Sequence, residues 1–242
     1  MKTKLLLSAL FGMAAWSLSS AAAANWDAGA CPQPPSGPAP CIEIVDGGNV
    51  YHFNGSGGHA DEWHGMPAAL GGGPIQFTGT NVALDCPENS VSCTLTLDGQ
   101  VKKCEDSNGD WRIGVRVTGA DVSAGDFLCD FLNVGGFPWY SKDPTVTPHC
   151  PFEDDCDTFI PYDPSGSSYV GNFGSVDVSD ILGTTYVDNE HLHNVVFTPN
   201  NLGGNPANFN FSNKTFYNCD EEGRCTIDGI LYLDGADELN VY

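Results

Sequence analysis

Two histidines separated by one residue are the side chains best placed for metal chemistry. His191 and His193 would point to the same side of a β-strand, because successive strand residues face opposite sides. Neutral imidazole is a common metal ligand, so the pair predicts a candidate metal site. Glu190 would lie on the opposite face, and the glutamate that a cupin site carries downstream is missing. The alternative interpretation is that all six histidines are ordinary polar residues of loops and surface.

A second group of potential ligands contains His59, Asp61, Glu62 and His64. The two histidines are five residues apart, and this spacing does not put them on one face of a helix. On a loop they could converge on a metal ion.

Oxygen ligands alternate at Asp106, Asn108 and Asp110, as they do in a calcium-binding loop. Trp111 stands where an EF-hand needs glycine, and no glutamate completes the loop. Asn108-Gly109 is also a dipeptide that favours a tight hairpin turn. We favour the turn and keep calcium as an open alternative, and we expect no required cofactor.

No motif in the sequence specifies a reaction. A G-x-S-x-G elbow, a phosphate-binding loop and a dinucleotide fingerprint are all missing from the sequence. A glycosidase needs two carboxylates at a defined separation, but 31 acidic residues make any chosen pair uninformative. We therefore expect a protein that is not an enzyme. A carbohydrate-binding or carbohydrate-active jelly roll, and a metal-dependent extracellular enzyme, remain as alternatives.

A cluster of aromatic residues follows Gly135-Gly136. Phe137, Trp139 and Tyr140 form either a packed corner or an exposed apolar patch, which would contact a partner or an oily phase. We take them as candidates for apolar contact. The stripe at Phe209 and Phe211 alternates as a buried strand face does.

The first 24 residues have the pattern of a secretory signal peptide. Lys2 and Lys4 precede an apolar run from Leu5 to Leu18, and Ala22-Ala23-Ala24 offers small residues for cleavage. The run is too short to span a bilayer, and no later segment is long enough. We expect a secreted protein, extracellular or on a bacterial cell surface, with no transmembrane segment in the mature chain.

The ten cysteines suit an oxidising compartment, where disulfides form and persist. All are candidates for disulfide bonds: Cys31, Cys41, Cys86, Cys93, Cys104, Cys129, Cys150, Cys156, Cys219 and Cys225. Short spacings favour the pairs Cys31–Cys41, Cys86–Cys93, Cys150–Cys156 and Cys219–Cys225, which leaves Cys104–Cys129. The shared inward phase of two strands keeps Cys93–Cys225 as an alternative. No C-x-x-C occurs, which argues against a structural zinc site.

Period-two alternation predicts the strands that position these groups. It is clearest over 91–97 and 111–117, and turn dipeptides such as Asp98-Gly99 lie between such runs, whereas Asp228-Gly229 reads as a bulge. The pattern predicts an all-β, antiparallel β-sandwich or jelly roll that is reinforced by disulfides and has long Gly/Pro-rich loops. We assign residues 25–41 to a Pro-rich extended segment. Residues 42–242 form a single domain with a disulfide-pinned excursion at 141–170.

The chain is strongly acidic, with a formal net charge of −22. Such a surface repels nucleic acid, which we exclude as a partner. The acidity is explained by solubility, by cation binding or by attraction to a basic partner.

Several short segments occur in an order that resembles a bacterial family. They are 93–101 (CTLTLDGQV), 117–123 (VTGADVS), 128–129, 136–139 (GFPW), 209–213 (FNFSN) and 225–229 (CTIDG). The chain resembles the secreted "protein activator of alkane oxidation" (PraB-like) family. The resemblance implies a non-catalytic, extracellular all-β protein that acts in growth on hydrophobic carbon sources and in surface attachment. The chain departs from the family in its cysteine count, its acidity, the 141–170 excursion and the His-rich stretch 52–64.

We therefore expect an exported, non-catalytic surface protein. It would act by contact with a hydrophobic substrate or cell-surface components, and by self-association in a fibre or biofilm, since exposed strand edges can join molecules.

Overall fold

The computed structural model describes residues 25–32, 40–54 and 59–242. The predicted signal peptide (1–24) lies outside the described residues, as do 33–39 and 55–58. Strands dominate the described part, which contains no α-helix and only short 3-10 turns. None of its helices has the length and apolar character needed to cross a membrane. The predicted all-β, antiparallel, sandwich-like class is confirmed.

The elements follow one another along the described chain with short connections. The strands are β1 (Asp27–Ala28), β2 (Ile42–Asp46), β3 (Asn49–Phe53), β4 (Ile75–Asp85), β5 (Ser90–Glu105), β6 (Trp111–Gly125), β7 (Leu132–Gly135), β8 (Trp139–Lys142), β9 (Ile160–Pro161), β10 (Tyr169–Asp180), β11 (Thr185–Thr198), β12 (Asn208–Asn210), β13 (Lys214–Tyr217), β14 (Gly223–Asp228), β15 (Ile230–Asp234) and β16 (Glu238–Val241). The 3-10 helices are Ala68–Leu70, Cys129–Phe131, Cys156–Thr158 and Asn200–Leu202.

The smaller sheet joins the two ends of the described chain in the order β1-β3-β2-β16. Val241 lies opposite Ile42, so the last strand, β16, pairs with β2 near the start of the described chain. Trp26 packs edge-on against Phe53, with 4.8 Å between the ring centres. The start of the Pro-rich segment is thus attached to this sheet.

The larger sheet has the order β14-β13-β11-β12-β15-β4-β5-β6-β8-β10-β7, with β9 beside β6. Its longest pairing is the β5–β6 hairpin, whose turn contains Asn108-Gly109 as predicted. Additional pairings of β14 with β4 and of β11 with β10 fold the sheet back on itself. The predicted turn at Asp98-Gly99 is wrong, because both residues lie inside β5 at a shift of register opposite β6. The predicted bulge at Asp228-Gly229 is a break between β14 and β15, which both pair with β4.

The core lies between the inward faces of the strands. Phe209 and Phe211 are buried, which confirms the core interpretation of that stripe. Phe77 contacts Phe209 at 4.7 Å between ring centres, and Phe197 contacts Phe209 at 4.8 Å. In β15 burial alternates from residue to residue, with Leu231 and Leu233 buried, as a period-two pattern predicts.

Five disulfides connect the described chain, and all ten cysteines take part: Cys31–Cys41, Cys86–Cys225, Cys93–Cys129, Cys104–Cys156 and Cys150–Cys219. Of the pairs predicted from spacing, only Cys31–Cys41 is confirmed. The other four and the alternative Cys93–Cys225 are wrong. Neighbouring strands come from distant parts of the sequence: Asp85 lies opposite Thr226, so the adjacent Cys86 and Cys225 meet across β4 and β14. The 141–170 segment is held by two disulfides to the rest of the protein, not by one within itself.

Candidate functional site

His191 and His193 lie on the same side of β11, where alternation predicted them. Their Nε2 atoms are 2.7 Å apart. The side chain of His191 is almost fully buried, whereas that of His193 remains 21% exposed. The pair thus has one imidazole fixed in the protein and one that solvent can reach.

Two loops add further ligand groups over this pair. Glu221 lies in the turn between β13 and β14, with Oε1 3.6 Å from His191 Nε2 and Oε2 3.4 Å from His193 Nε2. His149 comes from the 141–170 segment, and its ring centre is 4.6 Å from that of His193. One ligand atom from each of His149, His193 and Glu221 lies within 4.8 Å of the others. We call these four residues, His191 included, the imidazole cluster.

The Cys150–Cys219 disulfide holds the two loops of the imidazole cluster together. Cys150 follows His149 directly, and Cys219 precedes Glu221 by two residues. The disulfide also contacts the cluster itself, because Cys150 Sγ lies 3.8 Å from His191 Nδ1. The two ligand-bearing loops are therefore joined to each other by a covalent bond.

Lys142 fixes the loop that carries His149. Its buried Nζ donates to the carbonyl oxygens of Pro148, His149 and Pro151, at 2.9, 3.0 and 3.2 Å. Three backbone acceptors on one ammonium replace its lost hydration. The loop thus keeps its shape without a regular strand.

Burial sets the protonation state of the two strand histidines. It lowers the pKa of His191 to about 4, and the neighbouring His193 adds to this shift. Burial also lowers the pKa of His193, although Glu221 opposes the change. Both imidazoles are therefore neutral near pH 7, the form that binds metals.

The sequence indicated His191 and His193 but not His149 or Glu221. A strand pattern places residues on one face, whereas the two missed residues come from loops on other parts of the chain. Their positions beside Cys150 and Cys219 would have identified them only if that disulfide had been known. The predicted pairs Cys150–Cys156 and Cys219–Cys225 kept Cys150 and Cys219 apart, so the sequence did not bring His149 and Glu221 together.

A second group of potential ligands is formed by His59, Glu62 and His64, with ligand atoms within 4.8 Å of one another. His64 is fully buried and stacked on Phe53, with 3.8 Å between ring centres. Its Nδ1 donates to the carbonyl oxygen of Glu62 at 2.9 Å. All three residues come from one short segment of the chain.

Of the three residues of the calcium interpretation, Asp106, Asn108 and Asp110, the first uses both carboxylate oxygens within the β5–β6 turn. Asp106 Oδ1 accepts the backbone N–H groups of Asn108 and Asp110, each at 2.9 Å. Its Oδ2 binds the Arg112 guanidinium at 2.8 Å. The N–H of Asp110 and then Arg112 lower the pKa of the Asp106 carboxyl. Donors and a cation therefore surround the carboxylate, which shapes the hairpin turn.

The aromatic residues predicted to make an apolar contact form a packed corner. Trp139 is buried in β8, between β6 and β10, and its Nε1 donates to Gly135 O at 2.8 Å. Phe137 stacks on Trp139 with 4.8 Å between ring centres, and Tyr140 is half-buried. These three residues do not form an open apolar patch, because Trp139 belongs to the hydrophobic core and Phe137 packs against that core.

Exposed apolar side chains occur at a different place in the fold. Phe127 is 81% exposed and Leu182 is 88% exposed, with Leu128 and Ile181 beside them in the sequence. The two loops touch: Ile181 N donates to Phe131 O at 3.0 Å, and the rings of Phe127 and Phe131 lie 5.0 Å apart. We call Phe127, Leu128, Phe131, Ile181 and Leu182 the apolar edge.

Comparison of the chain with protein-family models, with curated proteins and with solved structures found no match. The resemblance to the alkane-oxidation activators stays a prediction.

Proposed function

We propose that this is an exported, non-catalytic protein that contacts a hydrophobic surface through the apolar edge. The observation that carries this proposal is the grouping of its exposed apolar side chains. Of five large hydrophobic residues exposed in the described chain, Phe127, Leu128, Ile181 and Leu182 lie on two adjoining loops, and Tyr232 lies apart. Single exposed apolar residues are ordinary, but a contiguous group is typical of an interaction site.

Local structure holds both loops of the apolar edge in an exposed position. Asp180 Oδ1 accepts the backbone N–H groups of Leu182 and Thr184, each at 2.9 Å, which forms the tight turn that carries Leu182. The other loop is attached by the Cys93–Cys129 disulfide and by Asp126, whose Oδ2 accepts Ser92 N at 2.7 Å. Fixed loops lose little conformational entropy on binding.

The apolar edge supplies enough free energy for reversible adsorption. Moving one Leu or Phe side chain from water into an apolar medium is worth about 1.5–3 kcal/mol. Phe127 and Leu182 alone would contribute about 3–6 kcal/mol on that scale. The exposed residues Asp126 and Asp130 flank the edge, so the contact is shallow and favours a neutral oily surface over an anionic membrane.

Charge and disulfides fit the same role. A net charge of −22 keeps molecules dispersed in water despite an exposed apolar group. Five disulfides indicate an oxidising environment of the extracellular type. The family resemblance points to hydrophobic carbon sources as the surface in question.

The test is partition of the purified protein between buffer and emulsified hexadecane. We expect the wild type to adsorb, and a Phe127→Ser/Leu182→Ser double variant to adsorb at least about tenfold more weakly. Tyr232→Ser is the matched control, because it also removes an exposed aromatic side chain but leaves the apolar edge intact. Circular dichroism confirms that each variant is folded. A wild type that stays in the water, or a double variant that adsorbs as well as the control, refutes the proposal.

A further inference from the structure

We propose that the imidazole cluster binds one divalent transition-metal ion, with His191, His193, Glu221 and His149 as ligands and Zn²⁺ as the probe. This site is separate from the apolar edge and does not depend on the function proposed above. Three imidazole nitrogens and one carboxylate oxygen form a ligand set that suits Zn²⁺, Cu²⁺ and related ions.

The cluster has the density of ligand atoms that a metal site needs. His191 Nε2 lies 2.7 Å from His193 Nε2, and the two oxygens of Glu221 approach these nitrogens to 3.6 and 3.4 Å. Ligand atoms around a tetrahedral Zn²⁺ with bonds near 2.0–2.1 Å are separated by about 3.3 Å. The carboxylate distances are close to this value. The nitrogen pair, hydrogen-bonded without metal, must open by about 0.6 Å.

Some side chains of the imidazole cluster can move and others cannot, and this difference allows the two histidine nitrogens to separate. His191 is buried against Phe152, whose ring centre lies 5.2 Å away, and it provides the fixed reference. His193 is partly exposed and the side chain of Glu221 is 45% exposed, so both can adjust and an ion can reach them from solvent. The disulfide at Cys150–Cys219 keeps the loops of His149 and Glu221 close to each other.

The contacts of the ring nitrogens outside the cluster indicate which histidine is the weakest ligand. His191 Nδ1 faces Cys150 Sγ, which leaves Nε2 for the ion. His149 Nδ1 accepts from the Asn172 amide at 3.2 Å, and that amide is oriented by its oxygen, which accepts Asn194 N. Coordination through Nδ1 would replace this hydrogen bond. Coordination through Nε2 would place the ring proton on Nδ1, which could then no longer accept it. We therefore rank His149 as the weakest ligand.

Thiolates do not compete for the ion, because all ten cysteines are in disulfides. The strongly negative charge of the protein also raises the local concentration of cations. Metal binding by the oxidised protein would therefore take place at imidazoles and carboxylates.

The experiment titrates Zn²⁺ into the purified, disulfide-bonded protein after treatment with EDTA, with calorimetry and thermal unfolding as readouts. We expect one ion at this cluster and a higher unfolding temperature. His193→Ala and Glu221→Gln should each weaken binding at least about tenfold, and His149→Ala should have a smaller effect. Glu221→Gln is isosteric at an exposed position and keeps the test valid if His193→Ala fails to fold.

His59→Ala is the control, since it removes a histidine from the other ligand group. Co²⁺ in place of Zn²⁺ adds a visible absorption spectrum that reports coordination directly. Absence of Zn²⁺ binding overturns the proposal. So does binding that neither His193→Ala nor Glu221→Gln weakens, or binding that His59→Ala abolishes while these two variants retain it.

Discussion

Lys103 lies with its Nζ 5.2 Å from the centre of the Phe53 ring, fully buried and without a hydrogen-bond partner among the described residues. Burial lowers the pKa of Lys103 from 10.5 to about 7. An unpartnered polar group in the core costs about 1–3 kcal/mol. We expect Lys103→Met to raise the free energy of unfolding by about this amount at pH 7, as measured by urea denaturation.

The same lysine predicts a pH dependence. Between pH 7 and 10.5 the unfolded chain holds the Lys103 proton and the folded protein does not, so this residue makes stability rise with pH in that window. The advantage of Lys103→Met over the wild type should be largest at and below pH 7 and shrink toward pH 10. A difference that is constant across this range would show that Lys103 is not the titrating group.

His64 predicts a loss of stability at acidic pH. Burial lowers its pKa from 6.5 to about 4, and the hydrogen bond to the Glu62 carbonyl and the Glu62 carboxylate oppose this shift. The folded state therefore favours neutral His64, and its contribution to stability is complete above pH 6.5 and is lost as the pH falls toward 4. With EDTA present, His64→Asn should lose less stability than the wild type between pH 7 and 4.5 in urea denaturation. Equal losses would refute this role.

The disulfides should differ in their effect on stability according to the length of chain that they close. The chain-entropy model gives about 3 kcal/mol for Cys31–Cys41, with a separation of 10 residues, and about 5 kcal/mol for Cys86–Cys225, with a separation of 139. Replacing each pair by serines should lower the unfolding temperature, and the decrease should be larger for Cys86–Cys225 than for Cys31–Cys41. Equal shifts for the two double variants would contradict the entropic explanation.

Gly174 predicts a packing limit next to the imidazole cluster. A Cβ at this position would lie 2.6 Å from the Phe152 ring and 2.9 Å from His191 Cβ. Gly174→Ala should therefore destabilise the protein by about 1–3 kcal/mol in thermal unfolding, because one of these groups must move. Gly135→Ala is the control, since its nearest contact would be an ordinary 3.7 Å. Comparable losses in both variants would show that crowding is not the cause.

Local signals in the sequence predicted local structure. Asn108-Gly109 set the β5–β6 turn, and alternation put His191 and His193 on one side of β11, because both depend only on nearby residues. The disulfides could not be predicted in this way. Cys86 meets Cys225 only because β4 and β14 are neighbours, and that pairing is a property of the whole topology.

The prediction of the apolar contact shows the same limit. Trp139 and Phe127 are both large aromatic residues near glycines, and their sequences do not distinguish them. Trp139 is covered because its side chain packs into the hydrophobic core, whereas Phe127 lies on a loop with its side chain 81% exposed. His149 and Glu221 were missed for a related reason, since a disulfide and not a strand brings them together.

The order of the disulfides along the chain constrains how the protein can be made. When a polypeptide emerges from its amino end, Cys41 reaches Cys31 after only 10 further residues, whereas Cys86 must wait through 139 residues for Cys225. Cys93 must wait 36 residues for Cys129, and until then the unpaired Cys86 is a nearer partner with which it could form a wrong disulfide. We therefore expect that a cell that makes this protein either delays thiol oxidation until translation is nearly finished or supplies an isomerase that repairs early mispairing.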